Sequence, residues 1–376
     1  MKQLHFNIAK AFYLYKKRHP KRVMTFLVFI VVPLVTGLIL GYEMSSDVAV
    51  EIPTVVVNHD NSEFSRDFVK YVSDSEFFHV IEQADNDSRV DEAIYQREAY
   101  AGVIVPEGFY RDMKDGKAPK ILAVYDGSTL PALASSTSAM TEIVETLKTA
   151  YMMNIYEGKL NVAPESVMNH AVPIDVTYRL LFNPARSFRN FILPGMLAAL
   201  IQVGISCMGA ERAGELRKTN SPFSAHLKAI AQWGGLGAIS IAITLLEQYL
   251  FFDMPYKGSL LGGILLTYLY ATAILLTGYI VGSVIPDRTF ASQVSAVVVL
   301  PTTILGGYTW PALAMPVFFQ KLAKIIPFYY YGNEIRSLCM GPLELHHVLP
   351  DMGIMCIFIL VEMGLLLLIR RLGAVR

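Results

Sequence analysis

Long apolar runs alternate with shorter charged segments along most of the chain, apart from one mixed stretch between residues 42 and 185. A helix rises 1.5 Å per residue, so about 20 apolar residues cross the hydrocarbon core of a bilayer. The first such run is residues 23–41, VMTFLVFIVVPLVTGLILG. Five more are predicted near residues 190–209, 230–251, 259–284, 290–306 and 350–369. The pattern predicts an α-helical polytopic membrane protein with six transmembrane helices.

Residues 42–185 show the mixed pattern of a water-facing domain. Two short apolar runs that end in turn residues are typical of strands, TVVVNHD (54–60) and YAGVIVPEGF (100–109). Between them, SEFSRDFVKYVSD (62–74) places its aromatic residues at helical spacing. Strands that alternate with helices predict an α/β (α+β) domain inserted after the first span.

Basic residues are distributed unevenly among the loops, and this distribution predicts the orientation of the chain. Residues 1–22 hold seven lysines and arginines and no acidic residue. Further basic residues lie in a loop predicted at 210–228, at Arg288 and after residue 369, whereas FFDMPYKGS, between the third and fourth spans, has one lysine. Because loops rich in Lys and Arg stay in the cytoplasm, both termini are predicted to be cytoplasmic. The inserted domain and a segment at 307–349 are then extracytoplasmic, and residues 186–376 form a five-helix transmembrane domain.

The N-terminal run could also belong to a cleaved signal peptide. However, its apolar part is longer than the usual 7–15 residues, and no clear small-x-small cleavage site follows it. We therefore expect a retained first transmembrane helix. Residues 1–22 before it are expected to contain an amphipathic helix at the cytoplasmic interface. Its apolar face would be formed by Leu4, Ile8, Phe12 and Tyr15.

Composition supports a membrane protein and excludes some other classes. The 376 residues are 53% hydrophobic and 17% charged, whereas soluble domains carry about 25% charged residues. Basic and acidic residues are equal at 32 each, so nothing indicates a nucleic-acid partner. The three cysteines are far apart and form no Cys-x-x-Cys motif, so no metal site is predicted.

The segment before the last span is apolar and aromatic, GGYTWPALAMPVFFQKLAKIIPFYYYGNEIR (306–336), but three prolines interrupt it. Proline-broken backbone at membrane depth is tolerated where protein buries it or where it lines a cavity. We therefore predict an outer re-entrant segment over residues 307–349 that closes a path. A loop on the lipid surface is the alternative. The residues assigned to this outer gate are Trp310, Pro311, Pro316 and Pro327.

Polar residues inside predicted spans are candidates for function. Gln202 is expected to form hydrogen bonds between helices. Glu362, in the last span, would either face the interior of a dimer or bind a neighbouring helix, and the second interpretation is favoured. Glu247 lies near the outer end of the third span, where we expect it to be solvated.

Pairs of glycines four residues apart occur in two of the predicted spans. They are Gly37 and Gly41 in the first span and Gly278 and Gly282 in the fourth. This spacing lets helix backbones approach closely, so we expect helix packing at both places rather than substrate recognition.

Three segments resemble the permease subunit of type-2 ABC exporters. They are AGVIVPEGFYRDMKDGKAPKILAVYDGS (101–128), LFNPARSFRNFILPGMLAALIQ (181–202) and GGYTWPALAMPVFFQKLAKIIPFYYYGNEIRSL (306–338). The order of parts, one span followed by a large outer domain and five spans, is also similar to that family. The resemblance covers nearly the whole chain.

The resemblance implies a permease in a bacterial inner membrane that exports a small amphiphilic or lipid-like substrate, with drug efflux as one form. The chain has no Gly-x-x-x-x-Gly-Lys-Ser/Thr loop, so it is expected to be no enzyme and to bind no cofactor. ATP and Mg²⁺ would bind a separate ABC ATPase subunit. Other expected partners are a second permease copy or a paralogue, membrane lipid and a periplasmic adaptor. The alternative function is a membrane-anchored receptor or assembly factor whose outer domain binds a ligand or a protein.

The family places a short cytoplasmic coupling helix after the second span. The corresponding stretch here is ERAGELRKTNSPFSAHLK, within the loop predicted at 210–228, and it departs from the Gly-Thr-Leu more common in the family. The residues expected to contact the ATPase are Glu211, Arg212, Glu215, Leu216 and Arg217. A basic loop that anchors the span ends to anionic lipid is the alternative.

Overall fold

The computed structural model describes residues 20–46, 48–115, 117–160, 181–219 and 221–372, with side chains described for these residues except 20–22 and 154–160. The amphipathic face predicted for the N-terminal helix, with Leu4, Ile8, Phe12 and Tyr15, lies outside the described residues.

The first membrane-length helix is built from three helical segments. Helix α1 (Pro20–Phe26) continues into a π-helical turn (Leu27–Val31) and then into α2 (Val32–Glu43). In the π turn the N–H of Val32 donates to the carbonyl of Leu27, five residues back. Pro33 follows directly, and because proline has no N–H to donate, the regular ladder is interrupted at the same place.

Residues 46–179 form a compact unit of their own, built on a four-stranded sheet. The strands are β1 (Ile52–Asn58), β2 (Phe78–Ala84), β3 (Ala101–Val105) and β4 (Leu122–Tyr125), in the order β2-β1-β3-β4. The helices of this unit are α3 (Glu63–Asp74), α4 (Ser88–Tyr95), α5 (Phe109–Lys114) and α6 (Leu130–Leu160). Strand β1 pairs in parallel with β2 and β3, whereas β3 and β4 are antiparallel.

Both faces of this sheet carry a hydrophobic core. Successive residues of a strand point to opposite faces, and β1 therefore contributes Val56 to the core that includes Phe68 of α3. Its neighbours Val55 and Val57 belong to the second core, with Val90 of α4. The prediction of an inserted α/β (α+β) unit is thus confirmed.

The other unit contains residues 1–45 together with the chain from residue 180 onward. Its further helices are α7 (Phe188–Lys218), α8 (Phe223–Phe251), α9 (Leu260–Val284), α10 (Arg288–Val299), α11 (Thr302–Leu305), α12 (Val317–Ala323), α13 (Pro327–Met340) and α14 (Leu345–Arg371). Six segments among the described residues are long and apolar enough to cross a membrane, namely Val23–Glu43, α7, α8, α9, Arg288–Leu305 and α14. The prediction of six membrane spans is confirmed.

Helices α7 and α9 form the centre of the bundle and touch through their backbones. A methyl group at Gly278 would lie 1.9 Å from the carbonyl oxygen of Ser206, and one at Gly282 would lie 2.1 Å from that of Ala210. Only glycine fits there, so the close approach predicted for this glycine pair is confirmed.

Helix α7 is longer than its apolar run. It has 31 residues and ends at Lys218, whereas the sequence predicts a span that ends at residue 209 and a loop at 210–228. The continuation is AERAGELRK (210–218), which is rich in strong helix formers. Loss of hydrophobicity marks where the membrane ends, and it does not end the helix.

Candidate functional site

The ends of the helices meet in two groups. At one end, Arg217 of α7 contacts the chain that follows α9, and Arg370 of α14 contacts Ser221; we call this the arginine end. At the other end, Phe252 after α8 packs on Gly41 of α2, and Tyr308 packs on Gly195 of α7. We call this the insertion end, because the inserted unit follows α2 in the chain.

At the arginine end, Glu215 joins α7 to α10. Its carboxylate pairs with Arg212, one turn earlier in α7, and its Oε1 lies 3.6 Å from Nη1 of Arg288. The guanidinium of Arg212 also lies 5.0 Å from the ring centroid of Trp233 in α8. Three helices are therefore connected through one carboxylate and the arginine beside it.

Arg217 caps the end of α9. Its guanidinium donates to the carbonyl oxygens of Ser283 at 3.3 Å, Ile285 at 3.1 Å and Pro286 at 3.0 Å. The last carbonyls of a helix have no intrahelical partner, so this side chain satisfies groups that would otherwise depend on water.

The sequence predicted that five residues in this region contact the ATPase, and the structure places them in different environments. Arg212 contacts Trp233 of α8, Glu215 pairs with Arg288 of α10, and Arg217 donates to the chain that ends α9. Leu216 packs against the core of the bundle. Glu211 is half-buried, and no hydrogen bond or ion pair joins it to another described residue.

Sequence reasoning did not identify Arg288 as part of this cluster. It is the first residue of α10, and the side chain of Asp287 caps that helix by accepting a hydrogen bond from the N–H of Phe290 at 2.7 Å. Asp is a preferred N-cap residue, so the start of α10 was readable from the sequence, whereas its proximity to Glu215 was not.

At the insertion end, each of the three prolines assigned to the outer gate precedes or opens a helical segment. Pro311 precedes a 3₁₀ turn, Pro316 precedes α12, and Pro327 is the first residue of α13. Proline suits the first turn of a helix, where its missing N–H is not needed. Trp310, Pro311 and Pro316 are exposed in the single chain, and Pro327 is half-buried.

Several residues of this segment enter the core of the bundle, and one of them, Tyr308, which the sequence did not single out, contacts the backbone of α7. It is 1% exposed, and its hydroxyl accepts a hydrogen bond from the N–H of Gly195 at 2.8 Å. In a regular helix that N–H would donate to the carbonyl of Phe191. Here the hydroxyl lies 3.1 Å from that oxygen and 2.9 Å from the carbonyl oxygen of Ile192. The side chain is therefore inserted into the α7 ladder next to Pro194, a known cause of helix kinks.

Arg336 of α13 completes this contact. Its guanidinium lies between two aromatic rings, 3.9 Å from the centroid of Phe191 and 3.8 Å from that of Tyr308. Its Nη2 donates to the carbonyl oxygen of Tyr308 at 2.8 Å. Through this arginine, α13 is bound to the first turns of α7.

Two of the predicted intramembrane polar residues bridge helices. The amide of Gln202 donates to Thr303 Oγ1 at 3.1 Å and accepts from the hydroxyl of Tyr270 at 2.7 Å, which joins α7 to α11 and α9. Glu362 accepts from Thr277 Oγ1 at 2.7 Å, which joins α14 to α9.

Glu247 is placed differently from the prediction. It is 5% exposed, so the expectation of a solvated side chain was wrong. Helix α2 covers it through Gly37, where an added methyl group would lie 2.7 Å from Glu247 Oε2.

Comparison with known proteins gives one consistent family. Residues 22–369 match the family model described as ABC-2 family transporter protein. The chain is 22% identical over 329 residues to the "Probable multidrug ABC transporter permease YbhS" of Escherichia coli, with 84% of each chain covered. It is 20% identical over 294 residues to the "Probable multidrug ABC transporter permease YbhR" of the same organism, with 75% of this chain and 76% of that one covered.

Part of the chain is similar to a solved structure. It is a domain of a putative ABC type-2 transporter from Thermotoga maritima, 18% identical, with a TM-score of 0.24, covering 32% of this chain and 99% of that domain. The family model, by contrast, matches nearly the full length of the chain. This chain therefore belongs to the ABC-2 family of transporter proteins and is a multi-pass membrane permease.

Proposed function

We propose that this chain is the membrane subunit of an ATP-driven exporter, which moves a small amphiphilic or lipid-like substrate out of the cytoplasm or the inner leaflet. A separate ABC ATPase that holds ATP and Mg²⁺ would bind the arginine end. The observation that carries the proposal is the cluster of Glu215, Arg212 and Arg288, which connects the end of α7 to two other helices.

The length of α7 supports a partner at this end. Its 31 residues span about 47 Å at 1.5 Å per residue, and the hydrocarbon core is about 30 Å thick. The last turns of the helix therefore project beyond the core, within reach of a soluble protein. Arg217, Arg370 and Arg371 lie at the same end, which favours the cytoplasmic side.

Helix α7 also supplies a route to the opposite end. Glu215 lies near its last turn, and Gly195, which holds Tyr308, lies near its first turns. A partner that closes on ATP would displace the cluster, and α7 would carry the displacement as a rigid element. The outer gate formed by Trp310, Pro311, Pro316 and Pro327 would follow, because Tyr308 and Arg336 bind this segment to α7.

The assembly is proposed from the family. Permeases of this kind pair, so the second half would be another copy of this chain or a paralogue, in a bacterial inner membrane with both termini in the cytoplasm. A periplasmic adaptor is a further partner of the inserted domain in this proposal. Drug-like amphiphiles are the proposed substrates, since both relatives carry the word "multidrug" in their names.

The test is purification of the tagged chain from membranes of its own host, with identification of the co-eluting proteins and an assay of ATP hydrolysis. We expect a P-loop ATPase in stoichiometric amount. Glu211→Arg is the informative variant, because no hydrogen bond or ion pair joins Glu211 to another described residue. The variant chain should still insert into the membrane but no longer bind the ATPase. Lys257→Glu, exposed at the insertion end, is the matched charge reversal and should retain the ATPase.

Two results would contradict the proposal. A wild-type chain that elutes without any ATPase, under conditions that keep other ABC complexes intact, would favour the receptor or assembly factor instead. An ATPase that remains bound to the Glu211→Arg chain, with unchanged activity, would remove this surface as the coupling site.

A further inference from the structure

Glu247 lies in a membrane-length helix, and its carboxylate has no hydrogen-bond or ion-pair partner among the described residues. Both of its side-chain oxygens are buried without a hydrogen bond, and the residue is 5% exposed. No ion pair joins it to any described residue. An unpaired buried carboxylate carries a large desolvation penalty, and ionisable residues within membrane spans usually mark substrate or ion pathways.

Further unpaired oxygens lie on α8. Ser240 Oγ and Gln248 Oε1 are also buried without a partner. Ser240 lies seven residues, about two turns, before Glu247, which places these two residues on one face of the helix. Gln248 also faces α2, because a methyl group added at Gly41 would lie 2.8 Å from its Oε1. The amide nitrogen of Gln248 is already used, since it donates to the carbonyl of Gly37 at 2.8 Å. The unpaired atoms on α8 are therefore all oxygens that can accept hydrogen bonds, and no positively charged side chain among the described residues pairs with them.

The opposing surface is the glycine face of α2. Added methyl groups would lie 2.7 Å from Glu247 Oε2 at Gly37 and 2.8 Å from Gln248 Oε1 at Gly41. No side chain of α2 therefore separates its backbone from these oxygens. A small shift of α2 would open the space directly in front of the carboxylate.

An apolar cavity of about 220 Å³ lies along the same part of α2, on the side that faces α7. It is lined by Val32, Pro33 and Thr36 of α2 and by Leu197, Ile201 and Gly204 of α7. Thr36 and Gly37 are consecutive, so this short segment of α2 stands between an apolar cavity and an unpaired carboxylate. The π turn Leu27–Val31 precedes it, and such turns are frequent at functional sites.

We infer that the α2–α8 contact binds the charged group of a positively charged amphiphile, with Glu247 as the counter-charge, and that a shift of α2, which stands between the carboxylate and the cavity, gives the apolar body of the ligand access to the cavity. This inference rests on the proposed export function, of which it names the substrate class. Glu247 lies four residues before the end of α8, a distance of about 6 Å along the helix axis. In the proposed topology this end of α8 faces outward, so Glu247 lies in the outer half of the membrane. The site therefore belongs to the exit half of the route.

The test is binding to the purified full-length chain in nanodiscs of zwitterionic lipid, with empty nanodiscs as background. The probes are tetraphenylphosphonium, a hydrophobic cation, and triphenylphosphine oxide, a neutral molecule of similar shape. We expect Glu247→Gln to weaken binding of the cation at least tenfold and to leave binding of the neutral probe unchanged. Glu362→Gln is the matched control, because it neutralises a buried carboxylate in another span, α14, where one oxygen accepts from Thr277 and the other is unpaired. It should change neither affinity.

A second variant guards against misfolding of the first. Glu247→Asp keeps the charge at this position, so it should retain more of the cation binding than Glu247→Gln does, with binding of the neutral probe unchanged. No binding of the cation to the wild-type chain, or equal binding to wild type and Glu247→Gln, would overturn the inference and leave Glu247 as a packing residue. The assay contains no ATPase, so loss of this site and loss of the proposed export function are separate results.

Discussion

The hydroxyl of Tyr308 accepts a hydrogen bond from the backbone N–H of Gly195 at 2.8 Å, and its ring occupies the space that a side chain at position 195 would need. These residues are 113 positions apart in the chain. The contact binds the proline-broken segment to α7 beside the Pro194 interruption. Since α7 also carries Glu215, one helix joins the two ends of the bundle.

Replacing Gly195 with alanine should loosen this contact. The added methyl group would lie 2.4 Å from two atoms of the Tyr308 ring, and a fully buried tyrosine has little room to move. Overpacking of this kind costs about 1–3 kcal/mol, so thermal unfolding of the purified chain should occur at a lower temperature. Gly353→Ala is the control, because nothing lies within 4 Å of the added atom; equal destabilisation by the two variants would contradict the prediction.

Arg336→Lys should weaken the same contact without a change of charge. The guanidinium lies less than 4 Å from the centroids of two rings, and lysine cannot stack its head group in this way. We expect a loss of about 1–2 kcal/mol in the free energy of unfolding, the range for partly desolvated cation–π contacts. A double-mutant cycle with Phe191→Leu measures the pair directly, and strictly additive effects would show that the two side chains do not interact.

The number of spans could be predicted from the sequence because long apolar runs are a strong and local signal. The inserted domain was also predictable, from strands such as β1 that alternate with amphipathic helices. The end of α7 was not predictable in the same way, since hydropathy locates only the end of the apolar run, and the helix continues beyond it through residues 210–218. Helix propensity over those residues was the signal that could have corrected the boundary.

The contacts of the candidate sites were less predictable than the elements. Tyr308 belongs to an aromatic segment that is also typical of the membrane interface, and its burial depends on a glycine far away in sequence. Glu247 lies near a helix end, where solvation is the usual expectation, and its burial depends on the glycines of α2. In both cases the deciding residue is a glycine on another helix, and sequence alone gives no distance between the two.

Glu334, on α13 and outside the six membrane-length helices, should give the stability of the chain a pH dependence. Burial raises the pKa of Glu334 to about 7, and the negative charge of Asp351 and a hydrogen bond with it act in the same direction. The usual pKa of a glutamate is about 4.3. A carboxyl with a raised folded-state pKa binds its proton more tightly when folded, so stability falls as pH rises from about 4.3 towards 7 and then levels off. Glu334→Gln should flatten that fall, as measured by unfolding temperatures from pH 5 to 8; a slope equal to that of the wild type would contradict the assignment.

Arg217→Ala should destabilise the arginine end more than the same substitution at the neighbouring Lys218. Arg217 donates to the carbonyl oxygens of Ser283, Ile285 and Pro286, and hydrogen bonds from a charged donor contribute about 1.5–3 kcal/mol when the acceptors have no other partner. We expect the unfolding temperature to fall and the chain after α9 to become more accessible to hydrogen exchange. Lys218→Ala removes an exposed cation from the next position and should leave both measurements unchanged. If the two variants behave alike, Arg217 acts only as a surface charge at the lipid boundary, and the end of α9 does not depend on α7.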